Sequence, residues 1–234
     1  MLAELRKDAK AAADPKRAEL LQRYFKTGPG EYGEGDMFLG LTVPISRSIA
    51  RKYKDLPFRD IKSLLQSKYH EERLIALLIL VHNFEDGYED AKEKIYDFYL
   101  ENADYINNWD LVDLSAHKIV GGYLATKKDR SILEKLAKSK NVWERRIAAI
   151  STFNFIRDDD FEYSLKIAHI LLGDSSDLIH KAVGWMLREI GKRSPEAEER
   201  FLKKHYKEMP RTMLRYAIEK FPEEKRKTYL KGLV

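Results

Sequence analysis

Ser67-Lys68 followed by Glu72-Arg73-Leu74-Ile75-Ala76 is the stretch that decides the fold, because it returns 72 positions later as Ser139-Lys140 followed by Glu144-Arg145-Arg146-Ile147-Ala148. Half of 72 is 36, so a unit of about 35 to 40 residues is reused, which is the length of a paired-helix repeat of the HEAT kind. We therefore predict an all-α fold, a curved right-handed solenoid of HEAT-like paired-helix repeats, in a single domain over residues 1–234.

The rest of the chain follows the same helical pattern. The small residue of the repeat comes back at Ala182 and Ala217. Apolar residues also recur at three- and four-residue intervals, which predicts amphipathic helices; examples are Ile61, Leu64, Leu65, Leu74, Leu77, Leu78 and Val81. Strand signals are scarce, and turn-forming clusters separate the predicted helices: Gly28-Pro29-Gly30, Leu56-Pro57, Glu85-Asp86-Gly87, Asp158-Asp159-Asp160, Gly173-Asp174, Ser194-Pro195 and Met209-Pro210.

Composition limits the class of protein. Hydrophobic residues make up 44% of the 234 residues, which is enough for a continuous core. The formal net charge of +5 permits a nucleic-acid partner without requiring one. The chain has no cysteine, which excludes disulfides and thiolate metal sites. It also has no apolar run of the roughly 20 residues needed to cross a bilayer. We expect a soluble cytoplasmic protein with no membrane partner.

A glycine-rich loop near residues 27–40 interrupts the helical pattern. Residues 27–36 contain four glycines and three acidic residues, but no lysine of the Walker type and no preceding strand. Acidic side chains repel phosphate, so nucleotide binding is disfavoured here. We predict a structural loop that seats Phe38 and Leu39 on the first repeats.

Asn107-Asn108-Trp109-Asp110-Leu111-Val112-Asp113 contains the strongest candidate for a functional site. Trp109 and Asp113 lie four residues apart in a helical pattern, so they share one face of the helix. An indole face and a carboxylate both attract positive charge, and an alkylated purine in DNA is a cationic ring that suits the pair.

Arg146 and Trp185 could join this pair. Arg146 follows Asp113 by 33 positions and Trp185 follows Arg146 by 39, so each gap is close to one repeat. The four side chains would then converge from neighbouring helices. The alternative is that both tryptophans are core residues and that Asp113 is solvated or paired with Lys118.

The two adjacent arginines of the second repeat differ in their expected roles. Arg145 aligns with Arg73, so we expect it to serve the scaffold through a recurring salt bridge or helix contact. Arg146 aligns with Leu74, and a charge at a position that is leucine in the sister repeat indicates a specific task. We therefore choose Arg146 over Arg145 as the functional arginine.

Other kinds of chemistry have little support. The six histidines include no HExxH spacing, so no metal site is expected, and serine catalysis lacks a GxSxG elbow. Three basic clusters would contact phosphate if they lie in a groove, but they are normally solvated helix faces: Lys127-Lys128-Asp129-Arg130, Lys203-Lys204-His205 and Lys225-Arg226-Lys227.

Taken in order, several segments resemble the AlkD-like family of DNA alkylation repair glycosylases, which are built from HEAT-like repeats. The segments are Arg23-Tyr24-Phe25-Lys26-Thr27 with the glycine-rich loop and Phe38-Leu39-Gly40, then Trp109 with Asp113, then Trp143-Glu144-Arg145-Arg146, then Gly184-Trp185-Met186-Leu187-Arg188-Glu189. Each segment is weak alone, but their order and spacing are specific and cover the chain from about Leu20 to the last repeat.

The resemblance implies excision of cationic N3- and N7-alkylated purines from double-stranded DNA, without a metal or organic cofactor. Asp113 would be the catalytic carboxylate, and Trp109 and Trp185 would contact the lesion-bearing nucleotide. Arg146 would hold a backbone phosphate, and Tyr24 would touch the opposite side of the duplex. We expect a monomer. A non-catalytic binder of damaged or branched DNA and a HEAT-type protein scaffold remain the alternatives.

Overall fold

The computed structural model describes every residue from Met1 to Val234 and contains helices but no β-strand. One isolated bridge joins Met37 to Tyr69. The chain divides into two compact units, Met1–Ser115 and Ala116–Val234. None of the helices combines the length and apolar character that a bilayer crossing demands. The predicted all-α class is confirmed, and our expectation of a single domain over residues 1–234 stays a prediction.

The first unit is built from six helices and the start of a seventh. They are α1 (Leu2–Ala11), α2 (Pro15–Tyr24), α3 (Val43–Lys52), α4 (Phe58–Leu65), α5 (His70–Asp86), α6 (Glu89–Glu101) and α7 (Trp109–Ala125), with a 3-10 turn at Ala103–Tyr105. Helix α5 packs against α3, α4 and α6, and these contacts bury it on nearly all sides. It is therefore the central helix of this unit.

The second unit continues from within α7. Its helices are α8 (Ile132–Ala137), α9 (Val142–Ser151), α10 (Phe153–Arg157), α11 (Glu162–Ile170), α12 (Asp177–Arg193), α13 (Pro195–His205), α14 (Arg211–Ala217) and α15 (Glu223–Lys231), with a 3-10 turn at Ile218–Lys220. Helix α12 packs against α9, α10, α11, α13 and α14, so it takes the central place that α5 has in the first unit.

Helix ends fall at the clusters predicted from sequence, for local chemical reasons. Pro57 directly precedes α4, and Gly87 directly follows α5. Ser194 caps α13 by accepting a hydrogen bond from the Ala197 amide, while Pro195 occupies the first turn, where its missing N–H costs nothing. Asn141, which lies outside the predicted clusters, caps α9 through the Trp143 amide. The boundaries at Pro57, Gly87 and Ser194 depend on neighbouring residues alone, which is why sequence predicts them.

The repeat seen in the sequence is also present in the hydrogen bonding. Arg73 donates to the carbonyl of Ser67 at 2.9 Å, and Arg145 donates to the carbonyl of Ser139 at 3.0 Å. Each arginine thereby closes the turn that leads into its own helix. The recurring alanines are all buried among helices: Ala76, Ala148, Ala182 and Ala217. The predicted repeat of helical units is therefore confirmed at the level of single contacts.

The glycine-rich loop seats Phe38 and Leu39 in the interior, as predicted. The buried carboxylate of Glu71 accepts hydrogen bonds from the amides of Leu39, Gly40 and Leu41 at 2.9, 2.8 and 3.1 Å. Three amide donors satisfy the buried charge, so the segment that follows the loop is fixed to the first turn of α5.

Candidate functional site

Trp109 is the first residue of α7 and is half-buried. Phe25 stacks on one face of its indole, with ring centroids 5.2 Å apart and an interplanar angle of 18°. Tyr24 meets the indole edge-on at 5.9 Å, and the indole Nε1–H donates to the Tyr32 hydroxyl at 3.2 Å. The orientation of the indole is therefore set by stacking on Phe25, by the edge contact with Tyr24 and by the hydrogen bond to Tyr32.

The start of α7 is fixed by a cap. The Asn108 side chain is fully buried, and its oxygen accepts a hydrogen bond from the Trp109 amide at 2.8 Å. Its amide nitrogen donates to Asp36 at 3.4 Å. Because Asn108 is anchored at both ends, the first turn of α7 has a defined position, and Trp109 with it.

Asp113 lies one turn further along α7, on the same face as Trp109, and is half-buried. On the buried side of Asp113 is Tyr99, which is fully buried and whose hydroxyl is hydrogen-bonded to Ser115 at 2.9 Å. Burial is the main cause that raises the pKa of Tyr99 above its usual range, and the negative charge of Asp113 raises it further. Asp113 therefore stands at the border between the core and the surface.

A charged network under the aromatic stack ties α7 to the glycine-rich loop. His70 is 2% exposed and packs beside the stacked rings of Phe25 and Phe38, at centroid distances of 4.8 and 4.7 Å. Its Nε2 is 2.8 Å from a carboxylate oxygen of Asp110, and its Nδ1 is 3.3 Å from one of Asp36. The ring can donate to both carboxylates at once only when it is doubly protonated.

The charges of this network explain the protonation of His70. Burial by itself would lower the pKa of His70, but the charge of Asp110 and the hydrogen bonds to both carboxylates outweigh burial and raise the pKa to about 9. Burial would likewise raise the pKa of Asp36, but the hydrogen bond from His70 and the charge of Arg73 hold it below its usual range. Arg73 donates to Asp36 at 2.6 Å. The network is therefore an imidazolium and a guanidinium held by two carboxylates.

The two adjacent arginines of α9 differ in the structure. Arg145 pairs with Asp174 at 2.6 Å and donates to the carbonyls of Ser139 and Lys140, so its predicted scaffold role is confirmed. Arg146 is 5% exposed, and its guanidinium donates to the backbone carbonyl of Leu178 in α12. The structure thus gives Arg146 a contact between two helices, and its grip on a phosphate stays a prediction.

The remaining tryptophans have different environments. Trp185 lies on α12, half-buried, with its Nε1–H donating to Glu189 at 3.0 Å and with Phe153 at a ring distance of 6.1 Å. Trp143 is buried at 7% exposure. Core packing therefore describes Trp143, whereas Trp109 and Trp185 each keep part of their surface open.

The structure brings some of the predicted site residues together. Tyr24, Trp109 and Asp113 belong to the first unit, where the ring of Tyr24, which is 63% exposed, contacts Trp109. Arg146 and Trp185 belong to the second unit, on the packed helices α9 and α12. The convergence of these two groups on one DNA lesion stays a prediction.

Sequence reasoning missed the network around His70. A usable signal exists, since His70 aligns with Val142 in the sister repeat, 72 positions later. The comparison that singled out Arg146 against Leu74 would have singled out His70 as well. Its partners Asp36 and Asp110 lie 34 and 40 positions away and belong to no repeat pattern, so sequence gives no sign of the contact.

The fold and this site define a helical repeat protein with an aromatic and carboxylate patch at the start of one helix. A family model described as DNA alkylation repair enzyme matches residues 5–221. That span is most of the sequence, and the chain belongs to this family. A comparison with curated protein sequences found no match.

Solved structures agree on the fold. A predicted DNA alkylation repair enzyme from Enterococcus faecalis is similar with a TM-score of 0.70 and 17% identity, over 90% of this chain and 97% of that one. AlkD2 from Streptococcus mutans is similar with a TM-score of 0.56 and 21% identity, over 89% of this chain and 98% of that one. The structure of smu.31 from Streptococcus mutans is similar with a TM-score of 0.56 and 20% identity, over 89% of this chain and 98% of that one.

Proposed function

We propose that this DNA alkylation repair protein is a monofunctional DNA glycosylase that excises cationic N3- and N7-alkylated purines from duplex DNA. The observation that carries the proposal is the placement of Trp109 and Asp113 on one face of α7, each half-buried. Phe25 stacks on one face of the Trp109 indole, and the Asp113 carboxylate lies one helical turn away. An anion and an aromatic surface side by side suit a cationic purine.

Base excision requires little from the protein, because alkylation of the purine has already weakened its N-glycosidic bond. The bond between C1′ and the purine nitrogen breaks, its electron pair goes to the cationic ring, and the base leaves neutral without protonation by a general acid. The sugar develops oxocarbenium character. Water then adds to C1′ and loses a proton to the solvent, which leaves an abasic site.

In this proposal Asp113 stabilises the positive charge that develops near C1′ and orients the attacking water. A carboxylate fixed before the reaction stabilises such charge without reorganising, and groups of this kind commonly contribute about 100-fold or more to the rate. Asp113 projects from a helix whose first turn is capped by Asn108 and tied to His70 through Asp110. This support favours Asp113 over acidic residues on exposed helix faces.

Trp109 and Trp185 would contact the lesion through their rings, at about 0.5 to 2 kcal/mol each. Their N–H groups already donate to Tyr32 and Glu189, so the ring surfaces are the parts suited to a nucleotide. Arg146 would hold a backbone phosphate and Tyr24 would touch the opposite side of the duplex. Such contacts position the duplex without reading its sequence. The proposed partner is double-stranded DNA, bound by a monomer that uses no cofactor.

The test is the identity of the product. The full-length protein is incubated with methylated duplex DNA, and free N3-methyladenine and N7-methylguanine are measured by chromatography against a protein-free control. Release above the spontaneous rate is expected. Tight, salt-sensitive DNA binding without any base release would instead establish a non-catalytic binder of damaged DNA, and an absence of DNA binding would favour a protein scaffold.

A further inference from the structure

The glycine-rich loop does more than connect α2 to α3, because it carries a side chain to the candidate site. Tyr32 lies in the middle of residues 27–36, and its hydroxyl accepts the hydrogen bond from the indole of Trp109. Its position in the loop is 77 residues away from Trp109 along the sequence. A contact at this distance depends on a loop of defined shape.

The acidic residues of the loop hold its backbone. A carboxylate oxygen of Glu31 accepts from the Gly28 amide at 2.9 Å, and one of Glu34 accepts from the Gly30 amide at 2.9 Å. Gly33 passes so close to the chain before it that an added Cβ would lie 2.5 Å from the carbonyl oxygen of Phe25. The loop is therefore closed on itself beside the residue that stacks on Trp109.

The end of the loop is anchored more strongly still. Asp36 is buried and accepts hydrogen bonds from Arg73 in α5 and from Asn108 at the start of α7. Its carboxylate is also paired with His70. The bond from Arg73 is 2.6 Å long, in the short range of strong charge-assisted bonds. Tyr32 is thus held between a folded loop and a buried ionic anchor.

We infer that Tyr32 is a positioning residue of the repair site, which fixes the orientation of the Trp109 indole and thereby selects which alkylated bases fit beside it. This inference rests on the proposed glycosylase function and names a determinant of its substrate range. Phe25 and Tyr24 contact the face and the edge of the indole through ring packing, which has little directional preference. The hydrogen bond to Tyr32 is the directional contact, and it fixes where the indole N–H points.

The first arm of the test measures the indole directly. The three tryptophans give three indole N–H resonances in a ¹⁵N-edited spectrum, and the Trp109→Phe variant assigns the resonance of Trp109. In Tyr32→Phe, which keeps the ring and loses the hydroxyl, we expect this resonance to shift and its exchange with water to rise about fivefold, as for one lost hydrogen bond. Tyr88→Phe, at a tyrosine that is 91% exposed, is the matched control and should change neither.

The second arm measures selectivity in single-turnover release of N7-methylguanine and of a bulkier N7-alkylguanine. A loosened indole loses its fit to the small lesion, so the methyl release rate should fall about fivefold in Tyr32→Phe and the bulkier lesion should be affected less. Equal slowing of both lesions, or an unchanged Trp109 resonance, would overturn the inference. If the wild-type protein released no base, the glycosylase proposal would fail, and the indole measurement would decide the positioning by itself.

Discussion

At the scale of the residue, the charge on His70 stabilises the packing of the loop and of α7 beneath the candidate site. The imidazolium packs against the ring of Phe25 at a tilt of 37°, and Phe25 in turn stacks on Trp109. Its two carboxylate partners come from the glycine-rich loop and from α7. Loss of the proton leaves Asp36 and Asp110 without a shared cation in a buried place, where such charges are costly.

This arrangement predicts that stability depends on pH in the alkaline range. The folded pKa of about 9 lies above the ordinary value of 6.5, so the stabilisation by His70 is complete below pH 6.5 and is lost as the pH rises through 9. The full effect is roughly 3 kcal/mol. Urea unfolding of the wild-type protein and of His70→Gln between pH 6 and 10 should show a steeper decline in the wild type, because buried Glu198, with a pKa raised to about 8, titrates in both proteins whereas His70 titrates only in the wild type.

Parallel curves for the two proteins would contradict that prediction. Titration of the His70 ring by NMR in the wild-type protein gives a second measurement that needs no variant. A pKa at or below the ordinary value of 6.5 would show that burial outweighs the two carboxylates.

Sequence predicts some residue roles better than others. The scaffold role of Arg145 followed from its alignment with Arg73, because each arginine bonds to the serine carbonyl six positions before it. The burial of Arg146 and its bond to Leu178 did not follow, since the position of a side chain between two helices depends on their packing. The Trp109 and Asp113 pair needed only helical periodicity, and the structure has them on one helix.

At the scale of the element, the distance between packed helices depends on small residues at the contacts. Gly121 in α7 faces α9 so closely that an added Cβ would lie 2.3 Å from the backbone oxygen of Ser151. A carbonyl within a helix cannot move aside as a flexible side chain can. The alanines of the repeat are small and buried at other contacts, and their recurrence extends the repeat that the sequence shows.

Gly121→Ala should therefore destabilise the protein. The overpacking cost of about 1 to 3 kcal/mol is expected to exceed the gain in helix propensity of about 1 kcal/mol. Chemical denaturation provides the measurement, with Gly173→Ala as the control, because no atom lies within 4 Å of the Cβ added at Gly173. The control should change the free energy of unfolding by less than about 0.5 kcal/mol. Equal effects of the two substitutions would show that α7 and α9 can separate without cost.

At the scale of the whole molecule, the formal net charge of +5 is compatible with a polyanionic partner. The repeat pattern predicted the helical class of the fold, because each unit is specified by short-range periodicity. The chemistry of the site was predictable only in part, since the loop and its ionic anchor join residues that no periodicity relates.

DNA affinity should fall as salt concentration rises. Substitution of Arg146 tests whether this side chain contributes to that salt dependence by contacting a phosphate. Each phosphate that a side chain neutralises contributes about 0.9 to the slope of log affinity against log salt. Arg146→Gln should therefore lower the slope by about one. Arg145→Gln, at the neighbouring scaffold arginine, should lower stability and leave the slope unchanged. Identical slopes for the wild type and Arg146→Gln would assign Arg146 to the contact between α9 and α12 alone.

The proposed catalytic role of Asp113 is tested most directly by the rate of base release. Single-turnover release of N7-methylguanine from duplex DNA is measured with excess protein for the wild type and for Asp113→Asn, which keeps the shape of the side chain and removes its charge. We expect the rate to fall by about 100-fold or more while the affinity for DNA is unchanged. Equal rates for the two proteins would contradict the account.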